Sequence, residues 1–99
     1  FMMKEALEAG TECYIYDKYN KIYLLNGNKT IKKADQYGKY ISFVPMTEEV
    51  VLTLKGLKYP LNGYILRQGL SICQRNEIKE ETAEILIEKG IVAAIESRD

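Results

Sequence analysis

Apolar and polar positions alternate with a period of two along most of this chain. In residues 12–17, ECYIYD, Cys13, Ile15 and Asp17 fall on one side and Tyr14 and Tyr16 on the other, as in a half-buried strand. Further strand patterns follow at residues 21–25, 29–32, 39–44, 50–54, 72–78, 82–88 and 91–97. The third of these stops at Pro45, and Val50, Leu52 and Leu54 line one face of the next. Asn26-Gly27 predicts a hairpin between 21–25 and 29–32. Lys89-Gly90 predicts a second, with Ala83, Ile85 and Ile87 facing Ile91, Ala93 and Ile95. Residues 33–38 are polar and read as loop. Seven or more short strands at such spacing predict a mainly β protein, an antiparallel sandwich or barrel.

The beginning of the chain differs. Residues 2–9, MMKEALEA, are rich in strong helix formers, and Gly10 stands where a helix would stop. A helix followed by the strand at 12–17 is the tail of an α/β unit. The chain opens on Phe1 and enters this helix pattern with no cap before it, as a piece of a longer protein would. A domain seam is expected between Asp17 and Asn28.

Residues 57–77, LKYPLNGYILRQGLSICQRNE, break the pattern. They hold the second of two prolines, Pro60, the Asn62-Gly63 turn signal, Tyr59 beside the proline, Arg67, Arg75 and the amide of Asn76. Backbone bent at fixed points and carrying planar, hydrogen-bonding side chains suits the rim of a small-molecule site. Leu57, Leu61, Ile65 and Leu66 require part of the stretch to enter the core.

Composition narrows the class. Ninety-nine residues make one domain or less, with 46% apolar and 28% charged positions and a formal net charge of zero. No run approaches the length of a membrane span and no signal peptide is visible, so neither a membrane nor nucleic acid is called for by the whole-chain features. The charge is uneven. Residues 18–39 hold six lysines against Asp35, and residues 76–99 hold seven acids against three bases. This fits either two solvated faces or contact with another domain or copy. Cys13 and Cys73 are too few for a disulfide scaffold and read as free thiols in a cytoplasmic protein.

The chain has no histidine, which removes the Ser-His-Asp and Cys-His systems and the commonest zinc ligand. Glu48-Glu49 and Glu80-Glu81 are neighbours that point to opposite faces of a strand, so neither pair converges on a metal. No catalytic and no metal-binding residues are assigned. Binding remains. Tyr59 offers a flat face for an aromatic or cationic ring, or else is an edge tyrosine. Asn76 can read a heteroaromatic edge, or else serves a turn. Arg67 and Arg75 can meet phosphate, or else lie on the surface.

Several segments resemble the C-terminal domain of bacterial thiamine pyrophosphokinase. They are GKYISFVP at residues 38–45, GLKYPL at 56–61, Gly69 leading to Cys73 and Asn76-Glu77, and the closing ESRD at 96–99. GLKYPL is the specific part. The resemblance implies a jelly-roll β-sandwich at residues 28–99 that binds thiamine. Residues 1–27 would be a remnant of the N-terminal ATP-binding α/β domain and its linker. It further implies pyrophosphoryl transfer from ATP to thiamine, giving thiamine diphosphate and AMP. Mg2+ and ATP would be held by the missing N-terminal domain, the thiamine site would lie at a homodimer interface, and this fragment would be inactive alone. By resemblance Tyr59 stands against the thiamine rings, and Asn76 at the asparagine of a Ser-Asn-Glu motif near the ligand. Arg75 replaces that serine. A guanidinium cannot repeat a hydroxyl's short contact, so Arg75 turns outward or reaches a phosphate or a partner carboxylate. The competing reading is a free-standing β-sandwich interaction module with residues 18–39 as a lysine-rich docking face.

Overall fold

A computed structural model of the chain describes residues 14–69 and 75–98. The helix expected at residues 2–9, Cys13 and Cys73 lie outside the described residues. Nine strands are formed among them: β1 Tyr14–Tyr16, β2 Asn20–Leu25, β3 Lys29–Lys32, β4 Tyr40–Pro45, β5 Glu49–Lys55, β6 Leu61–Arg67, β7 Asn76–Glu77, β8 Thr82–Lys89 and β9 Val92–Ser97. One 3-10 turn, Lys33–Asp35, follows β3.

The strands make two antiparallel sheets, ordered β1-β2-β9-β4-β7 and β3-β8-β5-β6. Tyr23, Leu24, Ile41, Phe43, Val92 and Ala94 from the first join Ile31, Val50, Leu52, Leu54, Leu66, Ala83, Ile85 and Ile87 from the second in one buried core. This is the antiparallel sandwich that the alternation predicts. A period of two gives each strand one apolar face, and two such sheets bury those faces against each other.

Both predicted hairpins are absent. β2 pairs with β1 and β9, while β3 pairs with β8 in the other sheet. Asn26-Gly27 therefore carries the chain between sheets. Lys89-Gly90 does the same, because β8 and β9 also belong to different sheets. Gly90, at φ +90, lies so close to Glu49 that a Cβ would clash with its carbonyl oxygen. A turn dipeptide reverses the chain, but only the partners available to each strand decide which ladder it enters.

The phase of β9 also differs from the expectation. Val92, Ala94 and Glu96 are the most buried positions, at 0%, 0% and 3% exposure, rather than Ile91, Ala93 and Ile95. A glutamate at one inward position disguises the pattern. Asn62-Gly63, read as a turn, lies inside β6. The register with β5 shifts between Leu52 and Leu54, and Gly63, at φ +60, donates its N–H to the hydroxyl of buried Thr53 at 2.9 Å. Asn-Gly here makes a β-bulge instead of a turn.

Candidate functional site

The rim stretch begins where β5 ends. Gly56 takes φ +78, and a Cβ there would meet the Thr82 carbonyl oxygen at 2.3 Å. Its own carbonyl accepts the N–H groups of Lys79 and Glu80, at 2.9 and 3.1 Å. Leu57, buried in the core, then forms an antiparallel bridge to Ile78. The Lys58 N–H donates to the Glu77 carbonyl at 2.8 Å. The next pair in this register is Tyr59 opposite Asn76.

The Asn76 side chain completes that pair. Its Oδ1 accepts the Tyr59 N–H at 2.9 Å, and its Nδ2 donates to the Tyr59 carbonyl at 2.8 Å. Oδ1 also accepts the Glu77 N–H at 3.0 Å. Asn76 is 5% exposed and Tyr59 is 57% exposed. The amide is thus buried and engaged, while the phenol ring stands out from the sheet edge. Pro60 follows immediately and fixes its own φ, which keeps the preceding Tyr59 extended.

Around the ring the charge is mixed. The Lys58 ammonium lies 5.5 Å from the Tyr59 centroid and 3.7 Å from Glu77 Oε2. Lys39 reaches the other oxygen of Glu77 at 4.0 Å. A shallow groove of about 360 Å³ runs beside these groups, lined by Lys33, Lys58, Glu77, Ile78 and Lys79.

Arg75 goes elsewhere. Its guanidinium carbon sits 4.9 Å from the Tyr40 ring centroid, and its main-chain N–H donates to Ser42 Oγ at 3.1 Å. Its φ of 20° is unusual for a non-glycine residue. The Arg75 side chain is exposed and packed on Tyr40. Arg67 forms an ion pair with Glu49 at 3.1 Å, which Lys89 shares at 3.2 Å.

A second cluster was not legible beforehand. Glu96 is buried and accepts from the Tyr23 hydroxyl at 2.6 Å and from the Tyr37 N–H at 2.9 Å. Lys21, paired with Glu96 across the β2–β9 ladder, places its ammonium 5.0, 5.9 and 5.5 Å from the rings of Tyr14, Tyr16 and Tyr23. Burial and the adjacent carboxylate push the Tyr23 hydroxyl far above its ordinary pKa. Period-two alternation assigns Glu96 a face but not a partner 73 residues away.

Among the described residues, no three histidine, cysteine or carboxylate side chains converge as a metal site. No helix among them is long and apolar enough to cross a membrane.

The two sheets define a small antiparallel β-sandwich, with an exposed aromatic clasped at its edge. The family described as "Thiamin pyrophosphokinase, vitamin B1 binding domain" matches residues 28–92, and the chain belongs to that family. It is 30% identical over 99 residues to a thiamine pyrophosphokinase of Bacillus subtilis (strain 168), covering 99% of this chain and 46% of that protein. The chain therefore spans about half of that relative's length. The crystal structure of a Bacillus subtilis thiamine pyrophosphokinase superposes with a TM-score of 0.91 at 31% identity, over 99% of this chain and 46% of that one. One from Geobacillus thermodenitrificans gives 0.78 at 32% identity, over 87% and 40%. A thiamin pyrophosphokinase from Candida albicans gives 0.78 at 18% identity over 97% and 37%, a likeness of fold alone.

Proposed function

We propose that this chain is the thiamine-binding part of a thiamine pyrophosphokinase, which transfers the pyrophosphoryl group of ATP to thiamine. The observation that carries the reading is Tyr59, more than half exposed on a buried and hydrogen-bonded mount within the family's matched residues. Thiamine contains a thiazolium cation and an aminopyrimidine ring. A phenol face attracts such a cation by about 0.5–2 kcal/mol, according to how far water is excluded. Lys58 already lies near that ring, so the thiazolium takes the opposite face. Asn76, whose amide holds the Tyr59 main chain, and Arg75, beside Tyr40, complete the proposed thiamine rim.

Residues 28–99 are assigned to the thiamine-binding domain, in keeping with the start of the family match at residue 28. Residues 1–27 are assigned to the exit from an ATP-binding domain, with β1 and β2 joined to the sandwich sheet. On this reading Mg2+ and ATP are held by the N-terminal domain of the complete, cytoplasmic enzyme, as the resemblance to the family implies. This fragment is then inactive alone. What its own residues do is bind and orient thiamine.

A homodimer is part of the same proposal. Ile15, Ile22, Ile95 and Ser42 fall in one cross-strand row on the first sheet, and Leu24, Ala93 and Val44 in the next. Ile15 and Val44 are 48% and 43% exposed. Leu24 and Ala93 are already buried, so the exposed Ile15 and Val44 are the positions proposed to meet a second copy, and Val44→Lys should lower the association state in sedimentation.

The lysine-rich docking reading gains little support. The family match at residues 28–92 is to a vitamin B1 binding domain, which favours the thiamine reading over it.

The test is steady-state kinetics on a pyrophosphokinase polypeptide that contains this chain. Tyr59→Ala should raise the thiamine KM by about 2- to 30-fold, the range of the cation–π term, and leave the ATP KM unchanged. Equal losses for both substrates would refute the stacking role. Turnover by the 99-residue chain alone would refute the placement of ATP in another domain.

A further inference from the structure

We infer that Asn76 is a positioning residue: it acts on thiamine by clasping the main chain of Tyr59 and does not itself read the ligand. This rests on the thiamine reading of Tyr59 above.

The local ladder explains why a side chain is needed. The bridge from Leu57 to Ile78 and the bond from the Lys58 N–H to the Glu77 carbonyl bring the rim alongside β7. One step further, the main chain of Asn76 is already paired with Ile41 of β4. It serves the first sheet. The Tyr59 main chain meets a carboxamide instead, which has the donor and acceptor of a peptide group at similar spacing. The two bonds, 2.9 and 2.8 Å, are those a neighbouring strand would supply.

The clasp also uses most of what Asn76 could offer a ligand. Both lone-pair positions of Oδ1 are taken, by the N–H groups of Tyr59 and Glu77. One Nδ2 hydrogen is given to the Tyr59 carbonyl. A single N–H remains on a residue that is 5% exposed. Reading a heteroaromatic edge takes a donor and an acceptor together, and the acceptor is spent. Positioning Tyr59 is a different matter. Its ring has only two side-chain torsions, so fixing its N–H and carbonyl between Asn76 and Pro60 fixes the Cα–Cβ direction from which the ring is presented. A pre-set aromatic loses less freedom on binding than a mobile one.

The inference separates from direct contact in a double-mutant cycle on the pyrophosphokinase polypeptide containing this chain, read as thiamine KM with ATP KM as control. Asn76→Ala should raise the thiamine KM several-fold, by no more than Tyr59→Ala does, with the ATP KM unchanged. In the Tyr59→Ala background the same change should have no further effect on thiamine. Additive losses would show that Asn76 touches thiamine itself, overturning the inference while the Tyr59 reading stands. No effect of Asn76→Ala in the wild-type background would also overturn it. A Tyr59→Ala variant with unchanged thiamine KM would instead remove the reading on which it rests. If the alanine variant does not fold, Asn76→Asp carries the same cycle. It keeps an acceptor for Tyr59 and Glu77 and sets a second carboxylate oxygen, an acceptor, against the Tyr59 carbonyl in place of the donor, so the clasp is broken on that side.

Discussion

The Tyr23 hydroxyl donates a 2.6 Å hydrogen bond to Oε2 of Glu96 inside the sandwich. The two residues come from adjacent strands of the first sheet, β2 and β9, and both are nearly inaccessible, at 2% and 3% exposure. Tyr37 supplies the other carboxylate oxygen with its main-chain N–H. Glu96 is thereby tied both to the sheet and to the loop before β4.

Removing the hydroxyl should cost more than an ordinary surface bond. Tyr23→Phe leaves a buried carboxylate oxygen without its donor, a loss of about 1–3 kcal/mol. Chemical denaturation of wild type and variant should show a lower midpoint with an unchanged slope. Equal midpoints would mean that water replaces the hydroxyl at no cost.

The same bond makes stability fall in alkaline solution. The folded-state pKa of Tyr23 is raised above the ordinary value of 10. Above about pH 10 the unfolded chain releases this proton while the folded chain keeps it, which favours unfolding. The contribution is complete below pH 10 and declines as pH rises from there toward the folded pKa. The difference in melting temperature between wild type and Tyr23→Phe should therefore shrink between pH 9 and pH 11. A constant difference would rule out this linkage.

Asp17 gives an effect of opposite sign. Its Oδ1 accepts the N–H groups of Tyr19 and Asn20, both at 2.8 Å, and these bonds lower its pKa below the ordinary 3.8. Its ordering of the β1–β2 turn is fully present above pH 3.8 and is lost as pH falls through the lowered value. NMR titration should show the Tyr19 and Asn20 amide signals moving together with a midpoint below 3.8. A midpoint at or above it would contradict the bonding.

Gly56→Ala should be among the more damaging small substitutions. The added Cβ would combine φ +78 with a 2.3 Å approach to the Thr82 carbonyl oxygen, and αL strain at a non-glycine alone costs about 1–3 kcal/mol. Because Gly56 launches the segment that carries Tyr59, a loss of thiamine affinity should accompany the fall in melting temperature. A variant with unaltered stability would show that β5 and β8 can part there without cost.

The sequence by itself determined the class of fold and much of the core. Val50, Leu52 and Leu54 in β5, and Ala83, Ile85 and Ile87 in β8, are buried as their alternation requires, because a strand's period is fixed by its own geometry. It also marked Tyr59, Arg75 and Asn76 as a stretch apart, through Pro60 and the GLKYPL segment. The pairing of strands was decided only by the tertiary structure. Asn26-Gly27 and Lys89-Gly90 turn the chain, but whether the next strand pairs with the last or crosses to the opposite sheet depends on edges formed by distant residues. Glu96 could be placed inside only once Tyr23 and Tyr37 were there to satisfy it. Asn76 has the same amide in any context, and it became a clasp because the fold set the main chain of Tyr59 opposite it and gave its own main chain to β4.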